Sequence, residues 1–242
     1  MGPGHAGLGG RPGRGKVNDR RLKIGWLYDD HAAATAIDAD AVADVQFELR
    51  GRGLPLDHGW MLYRELYRLA PWIAEVAALG IHPILGADTG HGELILGHRA
   101  KLVVRCRAEK IPALQTALAN QEIGLAGHAL GIGGSKTRRL ALYTPLYAHI
   151  VTTGSTNEAD FTRDVIALLD RMGINSRFIC GRPQKMFDGV QETVGYSLML
   201  HGLPLANAMR VQQEGLGTNR KLGCGIFIPH KSITAVGAID AV

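Results

Sequence analysis

Twice along the chain the hydrophobic periodicity changes in the same order, and this repeated order narrows the fold more than any single motif. In the first pass Val45, Phe47 and Leu49 alternate with Gln46, Glu48 and Arg50, the period of a strand with one buried face. After a loop, Asp57 is placed to cap a helix that carries Leu62, Leu66 and Leu69 on one face. Pro71 suits the first turn of a further helical piece (Trp72, Ile73, Val76), which Gly80 would end. Residues 93–97 and 101–106 read as strands, 108–118 as a short helix, and 122–132 as a short strand or a hairpin. The order is β-α-β-β-α-β.

The second pass repeats it. Residues 146–153 read as a strand. Ser155-x-x-Glu158 has the form of a capping box, opening a helix with Phe161, Val165, Leu168 and Met172 inward and Gly173 at its end. Residues 177–180 and 194–200 read as strands joined by an excursion, 181–193, that holds the turn signal Asp188-Gly189. Residues 204–214 are helical in pattern, and 224–228 make a last strand. Two such units in tandem predict an α+β chain of paired ferredoxin-like domains, over 41–142 and 143–242. The repeat is one of element order, with only slight similarity of sequence. Residues 1–16 are Gly, Pro and Arg with little to bury, so a poorly ordered extension over 1–40 is expected.

Before the last strand, Gly215, Gly217, Gly223 and Gly225 bracket Arg220 and Lys221. Glycine lets a backbone take φ > 0 and approach another surface closely. The reading is a loop whose bare N–H groups and cations face a phosphate chain; a mobile hairpin with dispensable glycines is the alternative. No Gly-Lys-Ser/Thr is present and the spacing is not that of a dinucleotide fingerprint, which sets aside two familiar phosphate loops. A net charge of +5 and a pI near 9.2 fit a polyanionic partner and also fit many plain enzymes. Hydrophobic content of 46% with 20% charged residues describes a globular chain. No apolar run approaches the roughly 18–20 residues of a membrane span, and no signal-peptide pattern opens the chain. Cys106, Cys180 and Cys224 are odd in number and far apart, which argues against a disulfide framework or structural zinc and for a reducing compartment. The expectation is cytoplasmic.

The glycine pattern, Gly-x-Gly-x5-Gly-x-Gly before a final strand in a tandem ferredoxin-like chain, resembles that of the CRISPR-associated endoribonucleases of the RAMP superfamily, which cut precursor CRISPR RNA within its repeats. Further blocks resemble the variant of the MYXAN-type systems: Asp44-Val45-Gln46-Phe47-Glu48-Leu49-Arg50-Gly51, Leu54-Pro55-Leu56-Asp57-His58-Gly59, Gly80-Ile81-His82-Pro83-Ile84 and Ser197-Leu198-Met199-Leu200-His201-Gly202, with residues 223–232 closing the set. The likeness covers roughly residues 43–234. It implies metal-independent cleavage by 2′-OH attack on the adjacent phosphate, leaving a 2′,3′-cyclic phosphate and a 5′-OH. No cofactor is implied. The implied partner is a hairpin of CRISPR repeat RNA, with other subunits of an interference complex beside it. A non-cleaving RAMP-type RNA-binding subunit is the alternative, and a small-molecule ferredoxin-like enzyme a third reading without an acid–base cluster to support it.

Such a reaction needs a proton acceptor, a proton donor and cations. His82, held extended by Pro83 between Gly80 and Gly86, is the first candidate, at a place where the wider family carries a catalytic histidine. His58, at the start of the first helix, is its rival, since a helix N-terminus disfavours imidazolium. Tyr67 lies on the helix between them and reads equally as a packing residue. The lysine that some members place shortly after the histidine is missing in Gly86-Ala87-Asp88; Arg99, Lys101 or Arg105 are replacements, with Arg99 and Lys101 preferred. Arg220, Lys221, Arg177, Arg182 and Lys185 are candidate RNA contacts beside Gly215, Gly217, Gly223 and Gly225. His91 and His98 flank Glu93 but lack a third ligand at sensible spacing, so no metal site is expected. Gly133-Gly134-Ser135-Lys136-Thr137 reads as a basic hairpin turn.

Overall fold

The computed structural model describes Met1 and residues 38–231; the expectation for the N-terminal extension falls almost wholly outside them. In chain order come β1 (Val42–Arg50), β2 (Gly53–Pro55), α1 (Gly59–Leu69), a 3-10 turn (Pro71–Ala74), β3 (Gly80–Ile81), β4 (Ala87–Asp88), β5 (Glu93–Ile95) and β6 (Lys101–Arg107). A 3-10 turn (Ala108–Lys110) leads into α2 (Ile111–Leu118), followed by β7 (Glu122–Leu125) and β8 (His128–Arg139). The remainder is β9 (Leu146–Val151), α3 (Glu158–Arg171), β10 (Arg177–Phe187), β11 (Glu192–His201), α4 (Leu205–Glu214), a 3-10 turn (Arg220–Leu222) and β12 (Ile228–Pro229).

The strands form a five-stranded sheet in the order β3-β6-β1-β8-β7, a four-stranded sheet β10-β11-β9-β12, and a small three-stranded sheet β2-β5-β4. All their pairings are antiparallel. The α+β expectation holds. The inward residues of β1, Val45, Phe47 and Leu49, pack with Leu62 and Leu66 of α1 and Leu114 and Leu118 of α2. A second core gathers Leu146 and Ala148 of β9, Phe161, Val165 and Leu169 of α3, Leu198 and Leu200 of β11 and Phe227. Phe161 lies against Tyr196 with ring centroids 4.6 Å apart.

Several local expectations are corrected. Asp57 does not cap α1: His58 holds the N-cap position without a side-chain cap, and the Asp57 carboxylate accepts the Phe187 N–H at 2.7 Å. Long-range bonding to the second half outcompetes the local cap. Gly80 opens β3 instead of ending a helix. Ser155 lies outside its predicted box. Asn157 caps α3 by accepting from the Asp160 N–H at 2.9 Å, and Ser155 Oγ donates to Asp164 at 2.5 Å. The buried face of α3 runs Phe161, Val165, Leu169, with Leu168 and Met172 only partly buried against it. The excursion over 181–193 is the outer part of a long β10–β11 hairpin, whose register shifts between Cys180 and Pro183. Asp188 closes its tip by accepting the N–H groups of Val190 and Gln191, both at 2.9 Å. The strand predicted over 224–228 shrinks to β12, because Gly223 (φ 101) and Gly225 (φ 65) are left-handed and interrupt any extended run. Among the described residues no helix is long and apolar enough to cross a membrane.

Candidate nucleic-acid cleft

Pairing of β1 with β6 puts Asp44 opposite Arg105. The Arg105 side chain is 1% exposed. Its Nε and Nη2 donate to the two Asp44 carboxylate oxygens at 2.7 and 2.9 Å, and its Nη1 donates to the carbonyls of Gln212 and Phe227 at 3.0 and 2.7 Å. Removing a guanidinium and a carboxylate from water is tolerable only when the hydrogen-bonding groups are satisfied in this way. One side chain therefore fastens the first sheet to the end of α4 and to the chain before β12. Burial alone would raise the Asp44 pKa, but the hydrogen bonds and charge of the Arg105 guanidinium hold it well below the usual carboxylate range. Arg105 is thus structural and not a surface cation for RNA.

His82 follows β3, and its N–H donates to the Val103 carbonyl at 2.9 Å, continuing the β3–β6 pairing. Its Nε2 faces Asp44 Oδ1 at 3.4 Å, with 13% of the side chain exposed. The contact has an ion-pair distance but not the geometry of a hydrogen bond, and Nε2 is otherwise buried without a partner. Burial lowers the imidazole pKa from its ordinary 6.5, with the charges of Arg105 and Arg220 adding to it and Asp44 opposing. At neutral pH the ring is uncharged.

His58 occupies a different role from the one read in the sequence. It is 5% exposed. Its Nδ1–H is shared between the carbonyls of Pro55 and Leu56, each at 3.0 Å, while Nε2 accepts the Ile84 N–H at 3.0 Å. Neither nitrogen is free for proton transfer, and burial lowers its pKa. The ring ties the start of α1 to the loop that carries His82. Tyr67, on the last turn of α1, is 46% exposed, packs on Tyr63 at 6.2 Å between centroids, and lies outside both cavities that His82 lines.

The glycine loop is packed and hydrogen-bonded, which corrects the expectation of bare N–H groups. The N–H groups of Gly215, Leu216, Thr218, Gly223, Cys224 and Gly225 donate to the carbonyls of Val211, Gly225, Thr152, Arg220, Asn219 and Ile150. All four glycines have positive φ, and a Cβ at Gly225 would come within 2.0 Å of the Leu216 carbonyl oxygen. Arg220 turns inward: Nη2 donates to the Gln212 carbonyl at 3.3 Å, while Nε and Nη1 are buried without a partner. Burial, then the neighbouring Arg105 charge, brings its pKa down to about 10, so it stays a cation. Lys221 Nζ donates to the Ala74 carbonyl at 2.5 Å. Lys221 thus ties the loop to the first half, while Arg220 bonds back to α4 within the second. Gly223 lies over Pro83, with a Cβ there only 3.1 Å from Pro83 Cγ, so the loop rests on the segment bearing His82.

Two cavities meet at that segment, sharing His82, Pro83, Leu85 and His149. One, of about 480 Å³, is also lined by His98, Arg99, Lys101 and Gly223. The other, of about 530 Å³, takes in Asp57, His58, Asp88, Gln184 and Lys185. Arg99 and Lys101 are therefore brought to His82, as is Lys185 on the far side, where it pairs with Glu192 at 2.6 Å. Arg182 is exposed on β10, and neither it nor Arg177, Gly215 or Gly217 lines either cavity. His149 escaped the sequence reading. The alternation of β9, with Leu146 and Ala148 buried and Tyr147 and His149 less so, was the available signal. Its pKa is lowered by burial and then by His82 and His230. The buried thiols of Cys106 and Cys224 are pushed up to about 11 and about 12 and stay protonated, which removes them as nucleophiles. Among the described residues no group of three or more His, Cys, Asp or Glu side chains is gathered for a metal. Chemically, the cleft offers a neutral imidazole backed by a carboxylate, with cations on one flank.

A family model described as "Cas6 Crispr" matches residues 43–232. A relative from Myxococcus xanthus (strain DK1622), the CRISPR-associated endonuclease Cas6, is 30% identical over 187 residues, covering 77% of this chain and 80% of the relative. Among solved structures, that of a Cas6-related gene from Pyrococcus furiosus superposes with a TM-score of 0.59 at 13% identity, covering 77% of this chain and 97% of that one. A RAMP protein binding different RNA substrates gives 0.57 at 13%, covering 78% and 100%. These structural likenesses speak for the fold, while the family match and the Myxococcus relative identify the lineage: the chain belongs to the Cas6 family of CRISPR proteins.

Proposed function

We propose that this protein cleaves CRISPR repeat RNA without a metal ion, with His82 as the general base. The neutral imidazole takes the proton of a ribose 2′-OH; the 2′-oxygen forms a bond to the adjacent phosphorus as the bond to the 5′-oxygen breaks. The products are a 2′,3′-cyclic phosphate and a 5′-OH whose proton comes from water. Arg99 and Lys101 balance the charge that gathers on the phosphate. The carrying observation is the position of His82 where two cavities meet, with Asp44 behind its Nε2. The carboxylate favours the tautomer protonated at Nε2 and leaves the Nδ1 lone pair as acceptor. The endonuclease name of the Myxococcus relative and the RNA substrates of the RAMP neighbour agree with the reading. Retention of the product inside an interference complex belongs to the same proposal.

The test is single-turnover cleavage of the repeat hairpin in EDTA. His82→Ala should slow it about 10²–10⁴-fold, with RNA affinity kept. Because the His82 pKa lies below 6.5, the rising limb of kcat/KM against pH should have its midpoint under that value. Asp44 supports the protonated ring, so Asp44→Asn should move the midpoint lower still. Cleavage unaffected by His82→Ala overturns the assignment. The small exposure of His82, 13%, favours one second reading, a non-cleaving RNA-binding subunit; in that case the wild-type protein binds the hairpin in EDTA and leaves it intact.

A further inference from the structure

We infer that the larger cavity beside His82 is a binding pocket for one unpaired nucleobase of the RNA strand, selective for bases that carry an exocyclic amine. The inference rests on the endoribonuclease reading for its substrate class and on separate residues for its chemistry. The two cavities differ in charge. On one flank of His82 and His149 stand Arg99 and Lys101, suited to phosphate. On the other, the wall is apolar, with Leu62, Leu94 and Met186, and the charged side chains include two carboxylates.

Asp57 uses one oxygen on the Phe187 N–H, and Asp88 uses one on the Gly90 N–H. Each keeps acceptor capacity for an amine donor. Lys185 also lines this cavity but is neutralised by Glu192 at 2.6 Å. Such a surface repels a phosphate and accepts the flat face and amino edge of cytosine, adenine or guanine. The volume of about 530 Å³ admits a single base with room to spare. Gln184 stands at its wall, its Nε2 donating to the His149 carbonyl at 2.8 Å. A strand crossing His82 would then lay its backbone along the cationic flank and turn one base into the apolar one.

The test replaces each unpaired nucleotide of the repeat hairpin in turn by an abasic unit, and by uridine where it is not already that. Binding is measured on RNA with 2′-deoxyribose at the cleaved nucleotide, or at every position if no cut is made, and cleavage on the ribose form. One position should stand out, its abasic form binding roughly 5- to 150-fold more weakly, as the loss of one stacked base predicts, with uridine intermediate. Gln184→Trp, which fills the pocket mouth from an exposed strand position, should erase the difference between intact and abasic RNA. Asp88→Asn, on an exposed two-residue strand, should reduce the penalty for uridine, Asp57 remaining as the other acceptor. Cleavage by the wild-type protein with no discriminating position, or discrimination unchanged in both variants, overturns the pocket and leaves the nuclease standing. A discriminating position lost in the variants, with no cleavage in EDTA, upholds the pocket and overturns the nuclease.

Discussion

Single residues carry opposite duties that their types do not announce. His58 and His82 line the same cavity, yet one has both ring nitrogens engaged and the other has Nε2 facing a carboxylate. Both have pKa values below 6.5 in the folded protein, so the unfolded chain takes up protons first as pH falls. Their contribution to stability is whole above 6.5 and is lost as pH drops through the interval down to the folded values. The urea midpoint should therefore fall on going from pH 7.5 to 5.5, and His58→Gln should reduce that dependence. A flat profile would contradict the burial of these rings. Gly225→Ala is expected to destabilise by at least about 1–3 kcal/mol, since a left-handed residue is strained and its Cβ would strike the Leu216 carbonyl. Gly124→Ala, with nothing within 4 Å of its Cβ, should stay within about 0.5 kcal/mol. Thermal melts of the two variants give the comparison.

At the level of elements, periodicity predicted well wherever a face of one helix or strand was buried. The β1 alternation and the apolar stripe of α1 are local patterns, as is the start of the α3 stripe at Phe161 and Val165, so these elements could be read from the chain. Starts and ends were less legible. The N-cap of α3 is Asn157, and Asn157→Ala should cost about 1 kcal/mol, whereas under the predicted capping box the larger loss would fall on Ser155→Ala. Urea midpoints of the two variants decide which residue caps. Only the outer part of the β10–β11 hairpin, 181–193, read as an excursion between two shorter strands, where Gly181 and Pro183 interrupt the strand pattern. It is held as strand by pairing from Pro183–Tyr196 out to Phe187–Glu192 and by contact with α1, where a Cβ on Gly189 would meet the Trp60 ring at 2.7 Å. The strand expected at residues 224–228 failed for the converse reason: hydrophobicity was suitable, but glycine φ values were not.

For the whole molecule, the joint between the halves is where stability and the candidate site coincide. Arg105 spans Asp44, Gln212 and Phe227, and Lys221 reaches Ala74. Arg105→Ala leaves the buried Asp44 carboxylate without its ion-pair partner and takes a donor from the Phe227 and Gln212 carbonyls, the second of which keeps Arg220; it is expected to cost about 3–5 kcal/mol, a large share of the roughly 5–15 kcal/mol of an ordinary domain. Equilibrium unfolding in urea measures it; a loss below about 1 kcal/mol would mean that the joint opens to water. RNA binding should depend steeply on salt, and neutralising Arg99 or Lys101 should each reduce the slope of log K against log salt by about 1.

Legible in the chain alone were the alternating patterns that build the two cores, the order of the principal strands and helices, and the glycines that turn the chain before β12; His82 became a candidate, as base or acid, through the family resemblance together with its setting before Pro83. The first three follow from local periodicity and from the conformational freedom of single residues. It took the folded chain to turn Arg105 and Arg220 inward, to lay Lys221 on the Ala74 carbonyl, to consume His58 with three backbone groups and to bring His149 to His82. Those outcomes depend on which groups lose water together, and the partners lie far apart in the chain, Asp44 and Arg105 being separated by 61 positions and Arg105 and Phe227 by 122. Burial and pairing at such separations leave no periodic trace.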